Sequence, residues 1–216
     1  MDRHFAKELD RDDPLAKYRR RFVIGDPSIV YLDGNSLGRM PKATRRRLHR
    51  VIYEEWGRGL IRSWGGKPSW IDLDQRIGAK LAKIVGAEED EVLVCNSTTV
   101  NLYNLVSAAT ALGHTALVTN QSNFPTDGYV LQGIAKEKGL DLIVFENDPV
   151  HGPTPQDVEE ALKRLKPRQT PIVSLQSIDY RNGAVLDAEA TQHLVEDANG
   201  TFIEDACHAA GVLNSK

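Results

Sequence analysis

The chain of 216 residues contains only two cysteines, Cys95 and Cys207. That is too few for a disulfide framework or a four-cysteine zinc site, and it implies a reducing, cytoplasmic setting. Aromatic residues are scarce, at 6%. No apolar run approaches the roughly 18–20 residues that a membrane span needs. Met1–Phe22 mixes acids and bases without an apolar stretch, so a signal peptide or typical transit peptide is not expected there. An excess of one charge is also missing: 27 Lys and Arg stand against 30 Asp and Glu, a net −3, which makes nucleic acid a poor electrostatic partner. Finally, the chain has no GxGxxG and no Walker lysine, so dinucleotide and nucleoside triphosphate readings are weak.

What is present is the composition of a globular protein, 41% hydrophobic and 26% charged, with length for one large domain or one and a half. The triplets Arg19-Arg20-Arg21 and Arg45-Arg46-Arg47 read as solvated helix faces, with a phosphate or partner patch as the other option. Helix is expected near Asp10–Arg21 and a short strand at Ile29-Val30-Tyr31-Leu32, followed by the turn Asp33-Gly34-Asn35-Ser36. After Pro41, Leu48, Val51, Ile52 and Trp56 recur at helical spacing until Gly57 and Gly59. Gly57–Ser69, rich in glycine and flanked by tryptophans, reads as a binding loop. The expected division is an N-terminal arm with loops over 1–69 and an α/β domain over 70–216.

From Trp70 onward the pattern changes. Leu73, Ile77, Leu81, Ile84 and Val85 form an apolar helix stripe that stops at Gly86. Strand-like runs at Glu91–Cys95, Thr115–Thr119, Leu140–Phe145, Pro171–Leu175 and Thr201–Glu204 then alternate with helical stretches. This cadence predicts an α/β fold: a mostly parallel sheet with helices on both faces. Ligands of such sheets gather beyond the carboxyl ends of the strands. Four polar or aromatic sets follow the strands: Asn96–Thr99, Asn120–Asp127, Gln176–Gly183 and Asp205–His208.

Each set has a chemical and a plain reading. Asn96-Ser97-Thr98-Thr99 runs from a strand into a helix, where free N–H groups and hydroxyls bind phosphate, although Ser and Thr are also ordinary N-caps. Phe124 could stack on a planar cofactor or staple a helix start, with Pro125 as the first helical residue. Asp205 at a strand end suits a protonated ring nitrogen. His208 reads as well as a structural residue, and a metal site is disfavoured because no third ligand is evident.

Together these words resemble kynureninase, a family of pyridoxal-phosphate enzymes with the aspartate aminotransferase (type I) fold. The resemblance rests on Tyr31-Leu32-Asp33-Gly34-Asn35-Ser36-Leu37-Gly38, Trp64-Gly65-Gly66-Lys67-Pro68-Ser69-Trp70-Ile71, Thr99-Val100-Asn101-Leu102, Phe124-Pro125-Thr126-Asp127 and Asp205-Ala206-Cys207-His208-Ala209-Ala210-Gly211, in the family's order. It implies that pyridoxal 5'-phosphate is the cofactor, with Thr98 and Thr99 on its phosphate and Phe124 stacked on its ring. It further implies Asp205 on the ring nitrogen, Asp127 close by and His208 beside the ring. Gln176 stands where some members have a hydroxyl residue, and Ser177 is the candidate to supply that contact. By the same resemblance, Ser36 and Trp64 fall at positions that look like the family's substrate-facing loops. The implied reaction is hydrolysis of L-kynurenine to anthranilate and L-alanine, in tryptophan degradation and NAD biosynthesis, by a cytoplasmic homodimer. The loop Gly57–Ser69 is the candidate to reach the partner subunit.

The family's Schiff-base lysine lies in a Tyr-Lys pair well beyond the Asp-x-x-His word. In this sequence only Lys216 follows Asp205. The chain is therefore expected to be the N-terminal portion of a longer enzyme, with an incomplete large domain, no small C-terminal domain, and no turnover by itself. The alternatives are another type I pyridoxal-phosphate enzyme, such as a cysteine desulfurase, and a non-catalytic remnant.

Overall fold

A computed structural model describes residues 2–213. Lys216 lies outside the described residues. The chain divides into two compact units, Met1–Leu73 and Asp74–Lys216.

The second unit is built on four parallel strands, β1 (Ala116–Asn120), β2 (Asp141–Phe145), β3 (Pro171–Gln176) and β4 (Thr201–Asp205), in the order β2-β1-β3-β4. Side chains alternate across the strands. Leu117 and Ile172 face one side with α5 (Thr98–Ala111) and α6 (Pro125–Lys138), where Leu102, Val106, Leu131 and Ile134 are buried. Val118, Ile143, Phe145, Val173 and Leu175 face the other side with α7 (Pro155–Leu162) and α8 (Ala188–Asp197), meeting Val158, Ala161 and Val195. Helices therefore cover both faces, as the strand–helix alternation predicts. A fully buried Leu or Val stabilises such a core by about 1.5–3 kcal/mol.

The helix ends are set by local chemistry. Ser97 caps α5, Pro125 opens α6, and Gly139, at φ 67°, closes it in the left-handed region. Thr154 and Asp157 form a reciprocal capping box at the start of α7, and Asp187 caps α8. One expectation fails here: Glu91–Cys95 is not a strand, because no neighbouring strand pairs with it, and Leu93 and Val94 are exposed. The segment is still held close to α4 (Leu73–Val85), since a Cβ on Gly78 would lie 1.8 Å from the Val92 carbonyl oxygen.

The first unit holds α1 (Arg3–Asp12), a short 3-10 helix at Ala16–Arg21, α2 (Lys42–Arg50) and α3 (Arg62–Gly65). The expected helix over Asp10–Arg21 is thus broken around Pro14, whose ring and missing N–H end α1. Ile29–Leu32 forms no strand either. It has the β-branched composition but no partner, and Val30 and Leu32 are 82% and 89% exposed. The periodicity after Pro41 does give helix, but α2 passes into a π-helix over Val51–Gly59, an uncommon widening of the turn.

Candidate functional site

In the β2-β1-β3-β4 order the chain first goes to one side of β1 and then to the other, so the switch point lies between β1 and β3. That is where an open α/β sheet offers a crevice. The loops after β1 and β3 carry a buried polar network there. Asn123 donates from Nδ2 to Thr119 Oγ1 (2.9 Å) and to the Ser174 carbonyl (3.2 Å), and Gln176 Nε2 donates to Asn123 Oδ1 at 2.9 Å.

This network positions two rings. The Phe124 N–H donates to Asn123 Oδ1 at 2.7 Å, and the Tyr180 N–H donates to Gln176 Oε1 at 3.2 Å. The rings of Phe124 and Tyr180 then meet edge-on, with centroids 5.0 Å apart, and Tyr180 leads on to His208 at 6.5 Å. Both ends of the Gln176 amide are committed to protein partners. The same holds for Ser177, whose hydroxyl donates to Glu204 and lies 3.2 Å from the Asp205 carbonyl.

The neighbouring strand end supplies charge. Asp205, at the end of β4, accepts the Cys207 N–H at 2.8 Å, and the Cys207 thiol reaches Thr98 Oγ1 at 3.3 Å. Asp205 is thereby tied to the first turn of α5, where Thr98 and Thr99 occupy the two opening positions after the Ser97 cap. N–H groups of that turn have no carbonyl partner within the helix, and the dipole favours an anion. Asp127, in the first turn of α6 and only 1% exposed, lies against Asp205. Burial, and then the Asp205 carboxylate beside it, push the Asp127 carboxyl up to about 6. Two carboxylates cannot donate to each other, and Asp127 Oδ2 is buried without a hydrogen-bond donor. The pair needs a shared proton or a cation. Burial, with Asp205 close by, also pushes the Cys207 thiol up to about 11, so it stays protonated at neutral pH.

One edge of the second unit therefore unites Thr98, Thr99, Phe124, Asp127, Gln176, Ser177, Asp205 and His208. Ser36 and Trp64 belong to the first unit. Ser36 ends a turn in which the Leu37 N–H approaches the Asp33 carbonyl at 3.4 Å. Trp64 lies in α3, with its side chain exposed. Asn123 and Tyr180 sit inside the sets that follow the strands, yet their part is visible only once the loops after β1 and β3 are side by side. Among the described residues, no group of three or more His, Cys, Asp or Glu is placed to hold a metal ion. Nor is any helix long and apolar enough to cross a membrane.

No family model matches the chain. The kynureninase of Pseudomonas fluorescens is 36% identical over 213 residues, which is 95% of this chain and 48% of the relative. The chain is homologous to kynureninase. It spans about half the length of the curated relatives it matches. Among solved structures, the apo cysteine desulfurase of Thermococcus onnurineus NA1 matches with a TM-score of 0.64 at 20% identity, over 97% of this chain and 49% of that one. A C-DES variant carrying glycine covalently linked to its PLP cofactor matches with a TM-score of 0.68 at 15% identity, over 91% and 51%. At these identities the likeness establishes a shared fold. The chain thus has the fold of about half of each of those two structures.

Proposed function

We propose that the protein to which this chain belongs is a kynureninase, hydrolysing L-kynurenine to L-alanine and anthranilate with pyridoxal 5'-phosphate. The observation that carries this reading is the Asp127–Asp205 pair beside the α5 N-terminus and the Phe124 ring, in a chain 36% identical to kynureninases. The Asp205 carboxylate, backed by the buried Asp127 carboxyl whose Oδ2 has no donor, fits a protonated ring nitrogen. The opening turn of α5 fits a phosphate.

Thr98 and Thr99 would bind the phosphate through hydroxyls and first-turn N–H groups, and Phe124 would lie against the ring face. Asp205 would keep the ring nitrogen protonated, with Asp127 adding a second negative charge behind it. A water-poor setting strengthens that ion pair. When bound, the cofactor supplies a pyridinium that accepts the electron pair released from an amino-acid substrate. Gln176 acts through the backbone of Tyr180, Ser177 holds the end of β4, and His208 stands at the far side of Tyr180. Ser36 and Trp64 are assigned to the substrate. We further assign the protein to tryptophan degradation and NAD biosynthesis as a cytoplasmic homodimer, with the Gly57–Ser69 loop reaching the partner subunit.

The test is anthranilate fluorescence from the full-length gene product supplied with pyridoxal phosphate and L-kynurenine. Release of anthranilate is expected, with no sulfur released from L-cysteine. The reverse result would replace the reading by a cysteine desulfurase, and inactivity towards both would favour a non-catalytic protein. The 216-residue chain alone is expected to bind the cofactor weakly. Borohydride reduction should leave no stoichiometric adduct on Lys216.

A further inference from the structure

Among the described residues of the first unit, the most deeply buried charged side chain is Glu55, on the π-helix and 4% exposed. Its carboxylate takes both arms of the Arg47 guanidinium, one of them at 3.2 Å, and accepts the Trp70 indole N–H at 2.8 Å. The Arg47 hydrogen bonds hold the Glu55 carboxyl below the usual carboxylate range. The Glu55 main chain is engaged as well, since its carbonyl accepts the Ser63 hydroxyl at 2.6 Å. Gly59 makes that reach possible: a Cβ there would stand 2.1 Å from Ser63 Oγ.

Both anchors converge on one residue between them. The Trp64 carbonyl accepts from the Trp70 N–H (3.2 Å), the Ile71 N–H (3.1 Å) and the Ser69 hydroxyl (3.1 Å). The Trp70 N–H also reaches the Ser63 carbonyl at 3.0 Å. The backbone of Trp64 is thus held from both sides while its indole remains 53% exposed. A ring presented in this way has few conformations to lose when it meets a ligand.

We infer that Glu55 is a positioning residue for Trp64: one buried carboxylate joins α2, through Arg47, to Trp70, and so fixes the 60–71 segment that presents the Trp64 ring. The inference rests on the proposal that Trp64 meets the substrate. It predicts that Glu55 acts on substrate binding through Trp64 and leaves the chemical step alone.

The experiment uses the full-length gene product with pyridoxal phosphate, in a double-mutant cycle of Glu55→Gln and Trp64→Ala read as KM and kcat for kynurenine. Glu55→Gln should raise KM about fivefold or more with kcat within about twofold, the pattern of lost ground-state binding. In the Trp64→Ala background the same change should have no further effect on KM, because the two act as one unit. Trp70→Phe, which removes only the indole N–H, should reproduce the KM effect if Glu55→Gln does not fold. Hydrogen exchange should show lost protection at the amides of Trp70 and Ile71 in either variant. If Trp64→Ala leaves KM unchanged, the assignment of Trp64 to substrate fails and the inference falls with it. If Trp64→Ala raises KM but the Glu55 and Trp70 variants do not, or their effects add independently, the positioning role alone is overturned.

Discussion

The two units are held together by opposite means. In Asp74–Lys216 a parallel sheet buries apolar side chains on both faces, with Leu117, Val118, Ile172, Val173 and Leu175 fully covered. In Met1–Leu73 the buried described residues are Glu55 and Ser63, both polar, whereas Trp56, Ile61 and Leu32 are largely exposed. One unit is organised by the hydrophobic effect and the other by a few directional bonds around a carboxylate. The first mechanism spreads its stabilisation over many apolar contacts. The second concentrates its order in a handful of atoms, which hold the backbone on either side of Trp64.

The largest effect tests the sheet. Leu175→Ala should cost about 2–5 kcal/mol, the range for deleting a fully buried leucine. Urea unfolding followed by far-UV circular dichroism measures it, and a loss below about 1 kcal/mol would contradict a sheet-centred core.

Next comes Asp127, a buried carboxyl inside that apolar unit. Its carboxyl, at about 6 when folded against an ordinary value of 3.8, binds protons more readily in the folded state. Stability from this group is therefore full below about pH 4 and falls as pH rises to about 6, by at most about 3 kcal/mol. Asp127→Asn should flatten that slope and stabilise the cofactor-free chain above pH 6. Thermal melts at pH 4, 5, 6 and 7 would show it, and an unchanged slope would mean that the Asp127–Asp205 pair does not carry the titration.

Glu55→Ala probes the polar unit. Breaking a buried ion pair costs about 3–5 kcal/mol, but the Arg47 side chain is 42% exposed, so about 1–3 kcal/mol is expected here. Loss of amide protection should be confined to the first unit, and equal loss at β1 and β3 would erase the contrast between the two units. The smallest effect belongs to a cap: Thr154→Ala should cost about 1 kcal/mol and fray α7, as measured by the urea midpoint.

Much of the second unit was legible because its signals are local. The apolar runs at Thr115–Thr119, Leu140–Phe145, Pro171–Leu175 and Thr201–Glu204 appear as β1 to β4, each within a residue of the expected bounds. The polar sets after them gather at one edge because parallel strands must all end there. The same reasoning failed at Ile29–Leu32 and Glu91–Cys95, where strand-like composition meets no pairing strand. The Arg45-Arg46-Arg47 run is exposed, as its composition predicts, but nothing local showed that Arg47 would also pair with Glu55.

By itself, then, the sequence determined the α/β class, the helix caps and the edge of the sheet on which polar residues collect, since periodicity and capping are properties of neighbouring residues. Only the tertiary structure decided that Asp127 faces Asp205, that Asn123 and Gln176 hold the backbones of Phe124 and Tyr180, and that Glu55 meets Arg47 and Trp70. These pairings are set by strand order and by which loops it brings side by side. Their energies depend on burial, and burial belongs to the folded chain as a whole.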